Sequence, residues 1–131
     1  MFKTLVILLL SFLLVQNLQA QQHISDHDTL VFYMNYTGIT VTNKLDADYF
    51  LTILPPDSSS GVKLYPVYEF YPNGNRRMIA KSKIKDHNLL KYEGVCYLFY
   101  PNGNRKSVEN YSDGKLMGEE IFYFKMDKSI L

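Results

Sequence analysis

The sequence predicts an all-β protein in which repeated antiparallel β-hairpins form an extended single-layer meander behind a short N-terminal β segment. Three observations predict this fold class. The pentapeptide YPNGN occurs twice, at residues 71–75 and 100–104, and each copy has the composition of a tight turn. The segments beside both copies are short and rich in aromatic and β-branched residues, as strands are. Further turn signals separate these segments at short intervals, which is typical of strands joined as hairpins.

The first 20 residues have the pattern of a secretory signal peptide. Lys3 precedes an unbroken apolar run at residues 5–15, and the segment ends in a small residue at Ala20. The run is too short to span a bilayer, which takes roughly 20 apolar residues. We therefore expect cleavage after Ala20 and export of the chain to the periplasm or the medium.

The charged residues are nearly balanced, with 14 Lys and Arg against 13 Asp and Glu, for a net charge of +1. Such a balance disfavours nucleic acid as a partner, because little long-range attraction remains. Cys96 is the one cysteine of the chain and has no internal partner for a disulfide. It is predicted to be a small buried strand residue, with intermolecular pairing as the alternative.

Residues 21–28 are polar and without periodicity, which predicts a flexible leader. An N-terminal β segment is predicted over residues 29–60. Its three strands are TLVFYM at 29–34, ITVT at 39–42 and ADYFLTIL at 47–54. Two prolines and the turn-forming DSSSG then mark the boundary with the repeats.

Residues 61–131 are predicted to hold about two and a half repeat units. The second YPNGN follows the first after 29 residues, and the basic residues behind the two copies align at the same spacing. A third, partial unit appears when Gly94 is placed over Gly118, and it carries Lys125-Met126-Asp127 where the other units have Pro-Asn-Gly. The extra length of the first unit falls in the polar stretch before Val95, which predicts a loop there.

Each YPNGN is predicted to form a three-residue hairpin loop with a bulge at its glycine. Proline presets the first turn position, and glycine takes the left-handed conformation that other residues adopt only at a steric cost. Asp113 and Gly114 supply a further turn between two strands. The predicted structural turn residues are Pro72, Asn73, Gly74, Pro101, Asn102, Gly103, Asp113 and Gly114.

The alternation along the strands divides their side chains between two faces. One face is predicted to carry an aromatic and aliphatic ladder made of Tyr68, Phe70, Tyr97, Phe99, Ile121 and Tyr123. We expect this ladder to be the shared core of the repeats, because a single hairpin is not stable alone. A surface on which a ligand stacks is the alternative.

Residues 93–124, EGVCYLFYPNGNRKSVENYSDGKLMGEEIFYF, combine a YPNG turn, basic residues behind it, a Y-x-D-G-K-L-x-G connector and a new aromatic strand. This pattern resembles the bacterial variant of the MORN repeat, and the resemblance covers residues 67–124. The residues before it are similar to the leader of small exported proteins of the antitoxin-like MORN repeat family. The resemblance implies a β-hairpin array that acts in binding or scaffolding, without catalysis.

Motifs for catalysis are absent from the sequence: it has no G-x-S-x-G, H-E-x-x-H or C-x-x-C pattern. His23 and His27 lie four residues apart in the predicted leader, where only adventitious metal binding is expected. Asp46 and Asp48 are interpreted as a solvated turn. We therefore expect no catalytic residue, no cofactor and no metal site.

The leading hypothesis is a non-enzymatic exported protein that serves as a protein–protein interaction or scaffold module in the cell envelope. Its partner would be another envelope or secreted protein, and an unpaired last strand would allow strand addition or self-association. The candidate binding surface comprises Tyr71, Arg76, Arg77, Lys81, Lys83, Lys85, Tyr100, Arg105, Lys106, Phe122 and Phe124.

Two other functions are kept as alternatives. The basic cluster at residues 76–85 and nearby tyrosines would suit anionic lipid or envelope glycan, since clustered Lys and Arg are attracted to anionic surfaces. The same lysines could instead lie on a solvent-facing strand and hinder its pairing with another chain, a role that requires no ligand. The family resemblance adds an antitoxin-like component of a toxin–antitoxin pair.

Overall fold

The computed structural model describes residues 24–124, which form one antiparallel sheet of seven strands in sequence order. The predicted signal peptide and cleavage site, residues 21–23 of the leader and residues 125–131 lie outside the described residues. The strands are β1 (Leu30–Met34), β2 (Tyr49–Ile53), β3 (Tyr65–Phe70), β4 (Arg76–Ser82), β5 (Gly94–Phe99), β6 (Arg105–Ser112) and β7 (Lys115–Phe122). The predicted all-β hairpin meander is confirmed.

The N-terminal β segment is part of the same sheet, because β2 pairs with β3 over Phe50 to Ile53. Of its three predicted strands, the one at residues 39–42 is wrong. Thr40 makes an isolated bridge to Met34, and the backbone turns back tightly at Asn35, whose side-chain oxygen accepts bonds from two following backbone N–H groups. A short 3-10 helix at Lys44–Asp46 then leads into β2. Local side-chain hydrogen bonding thus outweighs the β propensity of this segment.

Residues 24–28, the described part of the predicted flexible leader, form a turn that is bonded to the sheet. The carboxylate of Asp26 accepts a hydrogen bond from the Tyr65 hydroxyl at 2.8 Å and pairs with Lys63. The ammonium group of Lys85 donates to the backbone oxygen of Asp26 at 3.1 Å. These contacts hold the segment against the start of β3 and the connection that follows β4.

Both YPNGN segments form the predicted loop, with nearly the same hydrogen bonds. In the first, the Tyr71 N–H donates to the Asn75 carbonyl at 2.8 Å, and the Gly74 N–H donates to the Tyr71 carbonyl at 2.9 Å. The equivalent bonds of the second loop measure 2.8 and 2.9 Å. Gly74 and Gly103 have φ of 87° and 89°, and these bonds place each glycine and the asparagine after it opposite a single tyrosine. The predicted glycine bulges are therefore present.

The third predicted turn is also present. Ser112 and Lys115 face each other across a two-residue loop in which Asp113 and Gly114 have φ of 52° and 80°. Positive φ at both central positions is typical of a type I′ hairpin turn, whose twist matches that of the flanking strands.

The side chains of YPNGN also join one repeat to the next. The amide groups of Asn73 and Asn75 both donate to the Pro101 carbonyl, at 2.9 and 2.8 Å. The Tyr71 hydroxyl donates to the Phe99 carbonyl at 2.7 Å, and the Tyr100 hydroxyl donates to the equivalent carbonyl of the third unit, that of Tyr123, at 3.0 Å. The pentapeptide therefore serves both as a turn and as a contact between neighbouring units, which accounts for its faithful repetition.

The core lies on the face opposite to the one predicted from the aromatic ladder. The buried core residues are Met34, Tyr49, Leu51, Val67, Met78, Ala80 and Cys96. The predicted ladder residues of β3 and β5 are half-buried on the other face, while Ile121 and Tyr123 are 53% and 41% exposed. The prediction that the ladder forms the core is wrong, whereas the prediction that Cys96 is buried is confirmed.

The reason is the connection between β4 and β5, residues 83–93, which folds over the core face. His87 stacks on Phe32 with ring centroids 4.0 Å apart, and Leu90 and Tyr92 pack against the core. Ser82, which is fully buried, accepts hydrogen bonds from the backbone N–H groups at both ends of this connection, at 3.1 and 2.9 Å. We call this side of the sheet the covered face and the other side the open face.

Replacing Gly103 by valine should lower the free energy of unfolding by about 1–3 kcal/mol, because a β-branched residue is strained at positive φ. Space is not the cause, since the nearest atom to an added Cβ is 3.9 Å away. Urea unfolding of the wild type, Gly103→Val and Gly103→Asn measures the effect. Asparagine tolerates this region and should cost less. An unchanged midpoint in Gly103→Val would contradict the assigned turn.

Candidate functional site

A continuous apolar row crosses the open face on four neighbouring strands. Tyr68 of β3 lies opposite Ile79 of β4, which lies opposite Tyr97 of β5, and Tyr97 in turn lies opposite Val108 of β6. All four side chains are half-buried. The row is the centre of the candidate binding site.

Two arginines lie over the tyrosines of this row. The Arg76 guanidinium is 5.9 Å from the ring centroid of Tyr68, and the Arg105 guanidinium is 5.1 Å from that of Tyr97. These pairs are attractive, since the face of an aromatic ring carries partial negative charge. Arg105 also lies 5.9 Å from the ring of Tyr123. The two pairs occupy equivalent positions in successive repeats, so the cation–aromatic arrangement is itself repeated.

A groove with a volume of about 820 Å³ lies beside the row, within the range of roughly 300–1,000 Å³ that is usual for ligand sites. Its walls include Pro66, Tyr68, Ile79, Val95, Tyr97 and Asn110. These residues come from four consecutive strands, so the open face is concave at this place.

Acidic and basic groups at the margin of the groove are paired with one another. Asp57 and Lys81 lie 3.5 Å apart, and Glu93 and Lys83 lie 3.3 Å apart. The pKa of the Glu93 carboxyl is lowered, mainly because it accepts a hydrogen bond from the Asp113 backbone N–H. By contrast, Arg76 and Arg105 have no carboxylate within 4.0 Å among residues 24–124. The open face therefore carries a surplus of positive charge.

The predicted basic cluster does not form one surface. The bulge at Arg77, where two residues of β4 face Glu69, leaves Arg76 on the open face and Arg77 on the covered face. There Arg77 pairs with the buried Glu69 and lies 4.0 Å from the centroid of the Tyr49 ring. The side chains of these two adjacent arginines thus lie on opposite faces of the sheet.

The three lysines of the cluster each have a separate partner. Lys81 pairs with Asp57, and Lys85 donates to backbone carbonyls of the N-terminal turn. Lys83 lies 3.3 Å from both Glu93 and Asp113. The three lysines therefore do not form one cationic patch that an anionic lipid or glycan could bind.

The remaining predicted surface residues are also divided. Tyr71 and Tyr100 use their hydroxyls to hold the next repeat. Lys106 lies near the start of β6, where its carbonyl accepts from the Tyr123 N–H at 2.8 Å. Phe122 pairs with the buried Ser107 and so belongs to the covered side, although it is 65% exposed, and Phe124 is 94% exposed. Of the predicted surface residues, Arg76 and Arg105 lie over the tyrosines of the row, and Lys81 lines the groove.

Ile79 and Val108 were not predicted as site residues, and Tyr68 and Tyr97 were predicted as core with ligand stacking as the alternative. The signal for them was in the sequence, since Tyr68 and Arg76 recur as Tyr97 and Arg105 at one spacing. Ile79 and Val108 could be assigned to the site only from the strand pairing, which places them opposite the two tyrosines.

The last described strand, β7, pairs with β6 and lies at an edge of the sheet. Its register is interrupted opposite Val108 and Asn110, and Gly118 within it has φ of 69°. Bulges of this kind hinder the addition of another strand. Beside the bulge, the nearby carboxylate of Glu109 raises the pKa of the Glu120 carboxyl.

Within residues 24–124, no three His, Cys, Asp or Glu side chains lie close enough together to hold a metal ion. No helix in that part of the chain is long and apolar enough to cross a membrane. No protein-family model, curated protein or solved structure matches the chain.

Cys96 should be unreactive in the native protein, because burial raises the pKa of its thiol to about 12 and leaves it 2% exposed. The thiolate, which is the reactive form, is then nearly absent at pH 8. Incubation with a disulfide reagent at pH 8 should give no signal until urea is added. A Cys96→Ala/Val95→Cys variant is the control, since Val95 is 46% exposed and its thiol should react at once. Fast labelling of native Cys96 would contradict the assigned burial.

Replacing Glu120 by glutamine should raise the melting temperature near neutral pH. The folded-state pKa of Glu120 is raised, so its contribution to stability is greatest at acid pH and is lost as pH rises through that pKa. The gain from Glu120→Gln should therefore shrink as the pH falls through the raised pKa of Glu120 and be absent below about 4.3, the ordinary pKa of a glutamate. Melting curves of the wild type, Glu120→Gln and Glu119→Gln from pH 3 to 8 test this. An equal gain at every pH would contradict the proton-linked origin.

Proposed function

We propose that this chain is a non-enzymatic, exported β-repeat protein that acts as a protein-binding or scaffold module in the cell envelope. The observation that carries the proposal is the open face, which presents half-buried aromatic and aliphatic side chains in a concave groove. A sheet is stable when its apolar face is covered by another element. Here the covered face has its loop, and a partner protein would supply the cover for the open face.

The open face is a better interface than the edge strand β7. Its apolar row spans four strands and has cations at its margin, whereas β7 is interrupted by the bulge at Gly118. Tyrosine and arginine are also enriched among the residues that dominate binding energy at interfaces. The proposal therefore places binding at the face of the sheet.

Export is supported by the signal-peptide pattern of residues 1–20, and the MORN-like relationship is supported by the turn and connector pattern of residues 67–124. Both stay predictions from the sequence. The alternative of a lipid or glycan surface binder loses its main support, because the cations at residues 76–85 are distributed over both faces and mostly paired.

Affinity capture tests the proposal. The chain, purified after export, is immobilised and exposed to a detergent extract of the envelope, and both bound proteins and bound lipids are identified by mass spectrometry. We expect one protein in near-equal amount to the bait. The variant Ile79→Glu should lose it, because a carboxylate would then stand in the middle of the apolar row.

Val31→Glu is the matched control, since Val31 is on the open face of β1, outside the groove, and already 57% exposed. It should retain the captured protein. Melting curves establish that both variants are folded. Recovery of lipid or glycan without protein, or equal recovery by Ile79→Glu, would overturn the proposal that the open face binds protein.

A further inference from the structure

The open face carries two equivalent subsites at a regular distance. Tyr68 and Tyr97 lie on β3 and β5, and the arginines above them lie on β4 and β6. Adjacent strands are about 4.8 Å apart. The two tyrosines lie two strands apart, and so do the two arginines, so each of these distances is about 9.6 Å. A ligand that crosses the strands would meet the same tyrosine and arginine chemistry twice at this interval.

One peptide conformation has a matching period. Polyproline II has three residues per turn and rises about 3.1 Å per residue, so every third side chain points the same way at about 9.3 Å. The side chains along one face of an α-helix recur at about 5.4 Å. Those on one face of an extended strand recur at about 6.6 Å. Aromatic-lined grooves are also a known kind of site for proline-rich segments, since these lose little conformational freedom on binding.

The charge beside the row selects acidic side chains. Arg76 and Arg105 lie over its tyrosines, are exposed and have no carboxylate partner within the described part of the chain. The groove beside the row is lined by Asp57, Glu93 and Lys81, and each of these two acids is paired with a lysine. A flat bilayer would not fill a concave groove. Charge and shape therefore favour a narrow, acidic polypeptide.

We propose that the open-face row of Tyr68, Ile79, Tyr97 and Val108, with the arginines over its tyrosines, binds an acidic polyproline II segment of a partner protein. Proline rings would pack on Tyr68 and Tyr97, and carboxylates three residues apart would pair with Arg76 and Arg105. The inference rests on the proposed protein-binding function and adds the chemistry of the partner.

Fluorescence anisotropy with synthetic peptides tests it. The chain purified after export is titrated into labelled (Pro-Pro-Glu)₅, with (Pro-Pro-Gln)₅ as the neutral control and (Gly-Ser-Glu)₅ as the flexible control of equal charge. We expect (Pro-Pro-Glu)₅ to bind at least about tenfold more tightly than either control peptide. The double variant Arg76→Gln/Arg105→Gln should reduce its affinity to that of (Pro-Pro-Gln)₅.

Lys106→Gln/Lys115→Gln is the matched control variant, because it removes the same charge from β6 and β7 outside the groove, and it should leave the affinity unchanged. Equal binding of (Gly-Ser-Glu)₅ would overturn the inference by reducing it to charge alone. An equal loss of peptide affinity in the two double variants would also overturn it. Binding of phosphatidylglycerol vesicles without binding of any peptide would do the same. If no peptide bound while envelope capture still recovered a protein, the inference would be wrong and the proposed function would stand.

Discussion

The structure depends on covering one face of a single sheet with its own connection. A seven-stranded sheet without a second layer leaves apolar side chains in water on both sides, and the β4–β5 connection removes one of these faces from solvent. Ser82 fixes both ends of that connection through its buried hydroxyl, and His87 lies on Phe32 near the other edge of the sheet. Among residues 24–124, this connection covers one face, and the opposite face keeps its row of half-buried apolar side chains.

A bulge just after each repeated turn determines how charge is distributed between the two faces. Arg77 and Lys106 are each an extra residue in the strand register, so the alternation of side chains shifts at that point. Arg76 consequently reaches Tyr68 on the open face, while Arg77 reaches Glu69 on the covered face. The same shift in the next repeat brings Arg105 over Tyr97. The bulge after the turn thus creates the paired arginines and tyrosines of the row.

The covered face contains an ion pair within an otherwise apolar surround. Glu69 is 7% exposed, and burial raises the pKa of its carboxyl although Arg77 opposes the shift. Such a pair is weak support for stability, because desolvation offsets much of the attraction between the charges. Its geometric effect is clearer: Arg77 is held against the ring of Tyr49 and links β4 to β2 across β3.

Local sequence determined the strands of the repeats, the three turns and the equivalence of the YPNGN units, because glycine at positive φ and alternation of period two act over a few residues. It also indicated the candidate site through the recurrence of Tyr68 and Arg76 as Tyr97 and Arg105. The tertiary structure alone decided which face is covered, since that depends on where residues 83–93 fold. It also decided that Arg76 and Arg77 point to opposite sides of the sheet. It gave the lysines at 81, 83 and 85 separate partners, and it made residues 39–42 turn back at Asn35. These outcomes rest on contacts between residues far apart in sequence or on side-chain hydrogen bonds, which the periodicity of the chain does not contain.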